Sequence, residues 1–372
     1  MLIRRDAERY WDMNKFSIRE WNEDGVREGG IWFKTMGCSH EWSGGCVMCD
    51  YSFGSKTDSS GMIDCVEEAL ESMQEPCHNL IITPSGSMLD EKEVPRDALF
   101  GILKLFAGSE HKFMGMESRA DTITQPIIRQ CKEILGGRFR RVYIGLECSN
   151  TWILKYCINK NQDTKVVKHA FEILKAEQVE IIANILLGIP FLTPKENVEY
   201  AVASAKWAIA NGCTKCCIFP VHIKKHTHLE RLAKLGIYTQ TSLWTYIEVI
   251  RKLKEEIQAG KVTIDWFETY EAYNIIYPAR TCDNCYVDVL SLLRKFTETK
   301  DFEILKNLEE YGCECKKDWK DTYEKNEEYS LVDRVEKAYR RLAEDFADSK
   351  WKGARLEELI ITMRMEYEEH LQ

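Results

Sequence analysis

A chain of 372 residues with 44% apolar content has the material for one large core, or for a core with a smaller appended unit. Its formal charge of −9 argues against a protein whose affinity comes chiefly from neutralising many phosphates, and no long apolar run or apolar N-terminal stretch suggests a membrane span or a secretion signal. Fifteen cysteines in such a chain read as reduced thiols, some committed to metals, in a cytoplasmic protein with no membrane partner.

The first element is a short apolar strand, Ile31 to Thr35. A glycine-rich loop follows it and carries Cys38, Cys46 and Cys49 in a C-x7-C-x2-C array. Three thiols do not complete a tetrahedral structural zinc site, whereas an iron-sulfur cube held by three thiolates leaves one iron open to a small molecule. His40 is the local competitor for a fourth ligand position, although it sits close to Cys38 for usual zinc spacing, and Gly44 and Gly45 let the loop wrap tightly. The plain alternative is a cluster of small buried side chains, a common fate of free cysteine.

Beyond this loop, strands are expected at Asn79 to Thr83, Lys112 to Glu117, Arg141 to Glu147, Glu180 to Leu187 and Lys215 to Pro220. Helices are expected at Met62 to Met73, Arg96 to Phe106, Thr122 to Leu135, Thr164 to Ala176 and Pro194 to Ala210, the last with proline at its start. This alternation specifies an α/β fold, a partial (β/α)6 barrel with a C-terminal cysteine-bearing helical extension. Ligands gather at the carboxyl ends of parallel strands, and the unusual residues fall there: Ser85-Gly86-Ser87, Glu117-Ser118-Arg119, Glu147 to Asn150, Gly188-Ile189-Pro190 and His222. His226 and His228 follow closely, so the three histidines are candidates for contacting a substrate carboxylate or phosphate. Glu117 with Arg119 also reads as a structural ion pair, and Gly188-Ile189-Pro190 as a strand terminator.

The stretch Leu229 to Gln258 is helical in pattern, and Val262 to Phe267 suits a further strand. Cys282, Cys285, Cys313 and Cys315 form a second set, C-x2-C and C-x-C, with the four ligands of a closed site, either structural zinc or an auxiliary iron-sulfur cluster. Beyond Trp319 the chain is charged, with Leu331, Val335, Tyr339, Leu342 and Phe346 at helical spacing. The organisation is therefore a barrel core over 1–228, an extension with the second cysteine set over 229–320, and a helical tail over 321–372.

The segments KTMGC (34–38), GGCVMCDY (44–51), TPSGSMLDEKEVP (83–95), MESRADTIT (116–124), IGLECSN (144–150), INKNQDT (158–164), NILLGIPFLTPKE (184–196), FPVHIKKHTHLERLAKLGIY (219–238) and SLWTYIEVI (242–250), with the CDNC, CEC and Trp319 cluster, occur in an order that resembles the radical S-adenosylmethionine superfamily. Within it the chain is most similar to the archaeosine-forming radical enzymes, relatives of the elongator-type radical domain. The first cysteine gap is longer than the C-x3-C-x2-C usual there, and Met48 replaces the common aromatic.

The resemblance implies that Cys38, Cys46 and Cys49 ligate a [4Fe-4S] cluster whose open iron takes S-adenosylmethionine, and that a 5'-deoxyadenosyl radical forms on one-electron reduction by a flavodoxin or ferredoxin. It implies contacts to the methionine amino group from Ser85, Gly86 and Ser87. Ribose or carboxylate contacts would come from Glu117 and Arg119, a polar strand-end motif from Glu147, Ser149 and Asn150, and the approach to adenine from Gly188 and Pro190. It further implies lyase-type C–N cleavage of a lysine-modified 7-deazaguanine in tRNA, with a lysine-transferring subunit as partner. The alternatives are a relative acting on a small metabolite or natural-product intermediate, a zinc-dependent tRNA-binding module without catalysis, and an electron-transfer iron-sulfur protein.

Overall fold

In the computed structural model, which describes residues 16–23, 25–51, 56–268, 274–346 and 355–371, the chain opens on a hairpin, β1 (Phe16–Glu23) antiparallel to β2 (Val26–Phe33). Strand and helix then alternate through α1 (Ser59–Ser72), β3 (Asn79–Pro84), α2 (Arg96–Gly108), β4 (Phe113–Glu117), α3 (Gln125–Leu135) and β5 (Phe139–Glu147). The series continues with the one-turn α4 (Thr151–Ile153), α5 (Thr164–Ala176), β6 (Glu180–Leu187), α6 (Pro194–Ala210), β7 (Lys215–Pro220) and β8 (Ile223–Lys224). Next come α7 (His228–Lys234), α8 (Leu243–Lys252), α9 (Lys254–Gln258), β9 (Val262–Ile264) and β10 (Ile275–Tyr277). Helices α10 (Tyr286–Thr299), α11 (Phe302–Glu310), α12 (Glu314–Glu324), α13 (Leu331–Phe346) and α14 (Leu356–Leu371) complete the described chain. No helix among the described residues is long and apolar enough to cross a membrane.

Strands run β1-β2-β3-β4-β5-β6-β7-β9 in one sheet, parallel throughout except for the first pair, while β8 and β10 form a small antiparallel pair of their own. Parallel strands covered by helices are buried on both faces and read as continuous apolar runs, and all six residues of β3 (Asn79–Pro84) are buried. The helices start where local chemistry says they should. Thr193 and Glu196 form a reciprocal capping box with Pro194 in the first turn of α6, and the Asp163 carboxylate caps α5.

The sheet curls until its two edges meet. Arg19 of β1 lies 3.4 Å from Asp265 beyond β9, stacks 4.8 Å from the Trp266 ring, and Trp266 meets Trp32 of β2 edge-on at 5.9 Å. This is the partial barrel with a helical, cysteine-bearing extension, closed along one seam by side chains instead of backbone hydrogen bonds.

Several boundaries differ from the sequence reading, among them the start of α1 at Ser59 instead of Met62 and the end of β9 at Ile264 instead of Phe267. The strand expected from Ile31 starts at Val26, and β1, which was not anticipated, pairs with it from Phe16. The segment from Leu229 to Gln258 is not one helix: Gly236 adopts φ +69° and Ser242 caps a new start, giving α7, α8 and α9. Helix α3 begins at Gln125, after a short 3-10 turn at Ala120–Thr122.

The tail helices pack on the barrel's rim. Trp152 donates its indole N–H to the Met363 carbonyl (2.9 Å), Tyr339 its hydroxyl to the Tyr156 carbonyl (2.7 Å), and Arg334 its Nε–H to the Phe191 carbonyl (2.9 Å). Leu331, Val335 and Met363 join Cys148, Trp152 and Leu186 in a second apolar cluster.

Candidate active site

A cavity of about 410 Å³ opens at the carboxyl ends of the strands, and Cys38, Cys46 and Cys49 all line it. Their loop is shaped from inside and tied from outside. Cys38 precedes a 3-10 turn, Ser39–Ser43, which ends on Gly44 and Gly45 at φ +111° and +66°, values that a side chain would strain. Asn159 donates its side-chain amide to the Gly45 carbonyl (2.7 Å), the Val47 N–H donates to the Ile158 carbonyl (2.9 Å), and the Leu229 N–H to the Val47 carbonyl (2.8 Å).

Arg119 fixes the start of the loop. Its guanidinium bonds Asp90 and Glu93, reaches Ser39 Oγ at 3.3 Å and lies 3.8 Å from Cys38 Sγ. Glu93 is fully buried and accepts the Ser39 N–H (2.8 Å) and the Ser87 N–H (2.6 Å). Gly86 is required here, because a Cβ would stand 2.1 Å from Glu93 Oε2. Burial pushes the Glu93 carboxyl up while Arg119 pulls against it; for Asp90 the bonds from Ser39, Lys92 and Arg119 outweigh burial and hold it low.

Burial pushes the Cys46 thiol up to about 12 and the Cys49 and Cys38 thiols above their ordinary value. A thiolate ligand at this loop therefore needs positive charge beside it, which a metal supplies. Neither histidine in the lining has a nitrogen to offer. His40 donates Nε2–H to the Asn159 carbonyl (2.7 Å) and faces the Ser43 hydroxyl with Nδ1 (3.0 Å), and burial lowers its pKa. His222 donates Nε2–H to the Trp266 carbonyl (2.6 Å) and accepts the Ala279 N–H at Nδ1 (2.9 Å). Its pKa falls to about 4 through burial.

Two carboxylates also line the cavity. Glu117 accepts from Thr83 Oγ1 (3.0 Å), and burial, with the charge of Glu147 adding, raises its pKa. Glu147 sits at a bulge between β5 and β6 with φ +59°, a conformation a glutamate adopts only when its surroundings impose it. One of its oxygens pairs with Lys160 (2.9 Å), and the other, Oε2, is buried without a hydrogen-bond partner. Burial lowers the pKa of Lys160, but Glu147 and Cys46 outweigh it and the ammonium stays charged.

Of the residues read from sequence, Gly86, Glu117, Arg119, Glu147 and His222 line the cavity with the three cysteines. Ser87 is buried beneath it, bonded to Ser118 (2.8 Å) and Thr122 (3.1 Å), and the Ser85 N–H donates to the Phe33 carbonyl (3.2 Å). Asn150 caps α4 and the Ser149 N–H donates to Ser204 (2.8 Å), so both serve the scaffold. Gly188 is held by Asn197 and by the Tyr238 hydroxyl, with no room for a Cβ beside Thr241 (1.8 Å), and neither it nor Pro190 lines the cavity. His226 and His228 lie outside the lining as well. Lys160, Asn161, Gln162, Tyr143, Asn184 and Trp266 line the cavity without having been singled out. The first three belong to the INKNQDT segment, whose sequence alone carries no metal-ligand or acid-base pattern that marks them.

The second cysteine set lies elsewhere, between α10, α12 and α8, with its four sulfurs mutually within 4.8 Å.

No protein-family model matches the chain. An uncharacterized protein of Methanocaldococcus jannaschii is 28% identical over 326 residues, 83% of this chain and 87% of that protein. Archaeosine synthase subunit beta of Methanosarcina acetivorans is 28% identical over 297 residues, 78% of this chain and 84% of that one; the Thermococcus kodakarensis protein of the same name is 25% identical over 299 residues, 77% and 88%. Among solved structures, Methanocaldococcus infernus Elp3 with an N-terminal deletion matches at 18% identity and a TM-score of 0.47, covering 65% of this chain and 59% of that one.

Proposed function

We propose that the chain is a radical S-adenosylmethionine enzyme whose Cys38, Cys46 and Cys49 hold a [4Fe-4S] cluster. One observation carries the reading: the three thiols share a cavity in which His222 commits both ring nitrogens to backbone groups, His40 donates Nε2–H to the Asn159 carbonyl and turns Nδ1 to the Ser43 hydroxyl, and the described lining holds no fourth thiol. When bound, the cluster and S-adenosylmethionine would supply one-electron cleavage of the sulfonium to a carbon radical.

The chain's own residues bind, orient and exclude water. Arg119, gripped by Asp90, Glu93 and Asp121, sets the height of the Cys38 turn. The unpaired oxygen of Glu147 suits an ammonium or hydroxyl donor, since a buried acceptor without a partner is costly until a ligand satisfies it. Trp32 and Trp266 form an apolar wall that keeps water from a reactive carbon.

The similarity to archaeosine synthase subunit beta over most of both lengths supports a finer reading. In it the substrate is a lysine-modified 7-deazaguanine in tRNA, the reaction is C–N cleavage, and the partners are a lysine-transferring subunit and a flavodoxin- or ferredoxin-type reductant. Anaerobic reconstitution followed by reduction with S-adenosylmethionine tests the first level: release of 5'-deoxyadenosine is expected, and its survival in Cys46→Ala sinks the assignment of this loop. Incubation with lysine-modified tRNA tests the second. Formation of the amidine base supports it, and unaltered tRNA beside ongoing 5'-deoxyadenosine release points to a small-molecule substrate.

A further inference from the structure

We propose that Cys282, Cys285, Cys313 and Cys315 bind a single zinc ion, and that this ion clasps the starts of α10 and α12 together against α8, the helix supporting one wall of the cavity. The sulfurs form a closed ring: Cys282 to Cys285 is 3.6 Å, Cys282 to Cys313 3.5 Å, Cys285 to Cys315 3.5 Å and Cys313 to Cys315 3.5 Å. Four thiolates on one tetrahedral ion, with metal–sulfur bonds of about 2.3 Å, stand about 3.8 Å apart. Disulfides require about 2.05 Å. The thiolates of an auxiliary cluster bind separate irons and cannot all gather around one point. The sequence spacing left zinc and an auxiliary cluster both open, and the mutual proximity of all four sulfurs within 4.8 Å selects the mononuclear site.

The surroundings suit a site of net negative charge. Trp244 donates its indole N–H to Cys315 Sγ at 3.2 Å. Cys285 and Cys313 are the N-cap residues of α10 and α12, so the positive ends of helices of 14 and 11 residues point at the sulfurs. With four protein ligands the ion has no open position, which makes the site structural.

The clasp lies at one end of a short mechanical chain. Trp244 belongs to α8, and Trp319 of α12 bonds Thr245 of α8 (2.9 Å). Two residues beyond Trp244, the Tyr246 hydroxyl donates to the Ile218 carbonyl at 2.8 Å and lies 3.2 Å from that of Asp265, holding β7 and the segment that carries Trp266 into the cavity.

Metal analysis of the purified full-length chain tests the proposal, beside Cys313→Ser and Trp244→Phe. About one zinc per chain is expected to resist mild chelation; Cys313→Ser loses it with a lowered melting temperature and keeps the iron of the other site. Trp244→Phe keeps all four thiols, so it stays informative if Cys313→Ser fails to fold: its zinc is expected to leave about 10–100-fold more readily in chelator competition. Cobalt(II) in the wild-type chain should give the absorption of a tetrahedral tetrathiolate. A fall in iron on Cys313→Ser, or a wild-type chain without zinc and without that cobalt spectrum, would overturn the proposal.

Discussion

Cys38, Cys46 and Cys49 face a cavity of about 410 Å³, whereas Cys282, Cys285, Cys313 and Cys315 face one another across 3.5–3.6 Å. The first set sits on a glycine-turned loop whose neighbours are Arg119, Lys160 and two buried carboxylates; the second sits at the starts of two helices against a tryptophan. A metal site's task is thus set by what surrounds the thiols. The incomplete set is arranged so that something else completes it, and the complete set leaves nothing to add.

The largest expected effect breaks the comparison directly. Cys46→Ala should lower 5'-deoxyadenosine formation to background, measured by chromatography after anaerobic reduction, while zinc at the second set remains. If Cys46→Ala retained the activity, the two sets would have been assigned the wrong way round.

Next in size is the grip on the cluster loop. Glu93→Gln leaves the Arg119 guanidinium short of a buried partner and weakens the bonds from the Ser39 and Ser87 N–H groups, so urea titration should show a loss of about 3 kcal/mol. A loss below about 1 kcal/mol would mean that Asp90 and Asp121, the latter 3.3 Å from Arg119 Nε, suffice to hold Arg119.

His222 gives a smaller, pH-dependent effect. Its folded pKa of about 4 lies below the unfolded value near 6.5, so the unfolded chain binds the extra proton first. The stability it contributes is present above pH 6.5 and is lost as pH falls from there through 4, by at most about 3 kcal/mol. Comparing the wild-type chain with His222→Gln between pH 7 and 4 should show a shallower slope in the variant. Equal slopes would remove His222 from its pinning role between Trp266 and Ala279.

The smallest effect concerns the seam. Arg19→Gln should cost about 1 kcal/mol, reflecting a partly exposed ion pair and two cation–aromatic contacts, to Trp266 and Trp21, and a cost several times larger would make the seam a principal support of the barrel.

Most of the parallel sheet was legible because buried strands and capped helices write their pattern locally. Thr164–Ala176, Glu180–Leu187 and Pro194–Ala210 match their expected limits. Strand β1 was not legible, because Arg19, Glu20 and Glu23 dilute the alternation of Phe16 and Ile18, and Gly29 and Gly30 hid the start of β2. Gly30 is there because a Cβ would stand 2.5 Å from the Trp32 ring. The dipeptide Asp24-Gly25 between these strands is the turn signal that would have found them.

The cysteine sets stood out because their members are close in sequence. The residues that hold and surround the first loop did not. Lys160 follows an irregular turn ending on Asn159 at φ +58°, and Asp90 and Glu93 are separated by more than twenty residues from the Arg119 they hold. The three histidines show the converse: near one another in sequence, only His222 reaches the cavity, and both its nitrogens are spent on backbone.

Electron paramagnetic resonance of the anaerobically reduced chain, with and without S-adenosylmethionine, shows whether one iron of the cluster is open to the sulfonium. A [4Fe-4S] signal that changes on adding the sulfonium is the predicted result. A signal indifferent to it, from a cluster whose irons all carry protein ligands, would contradict the account.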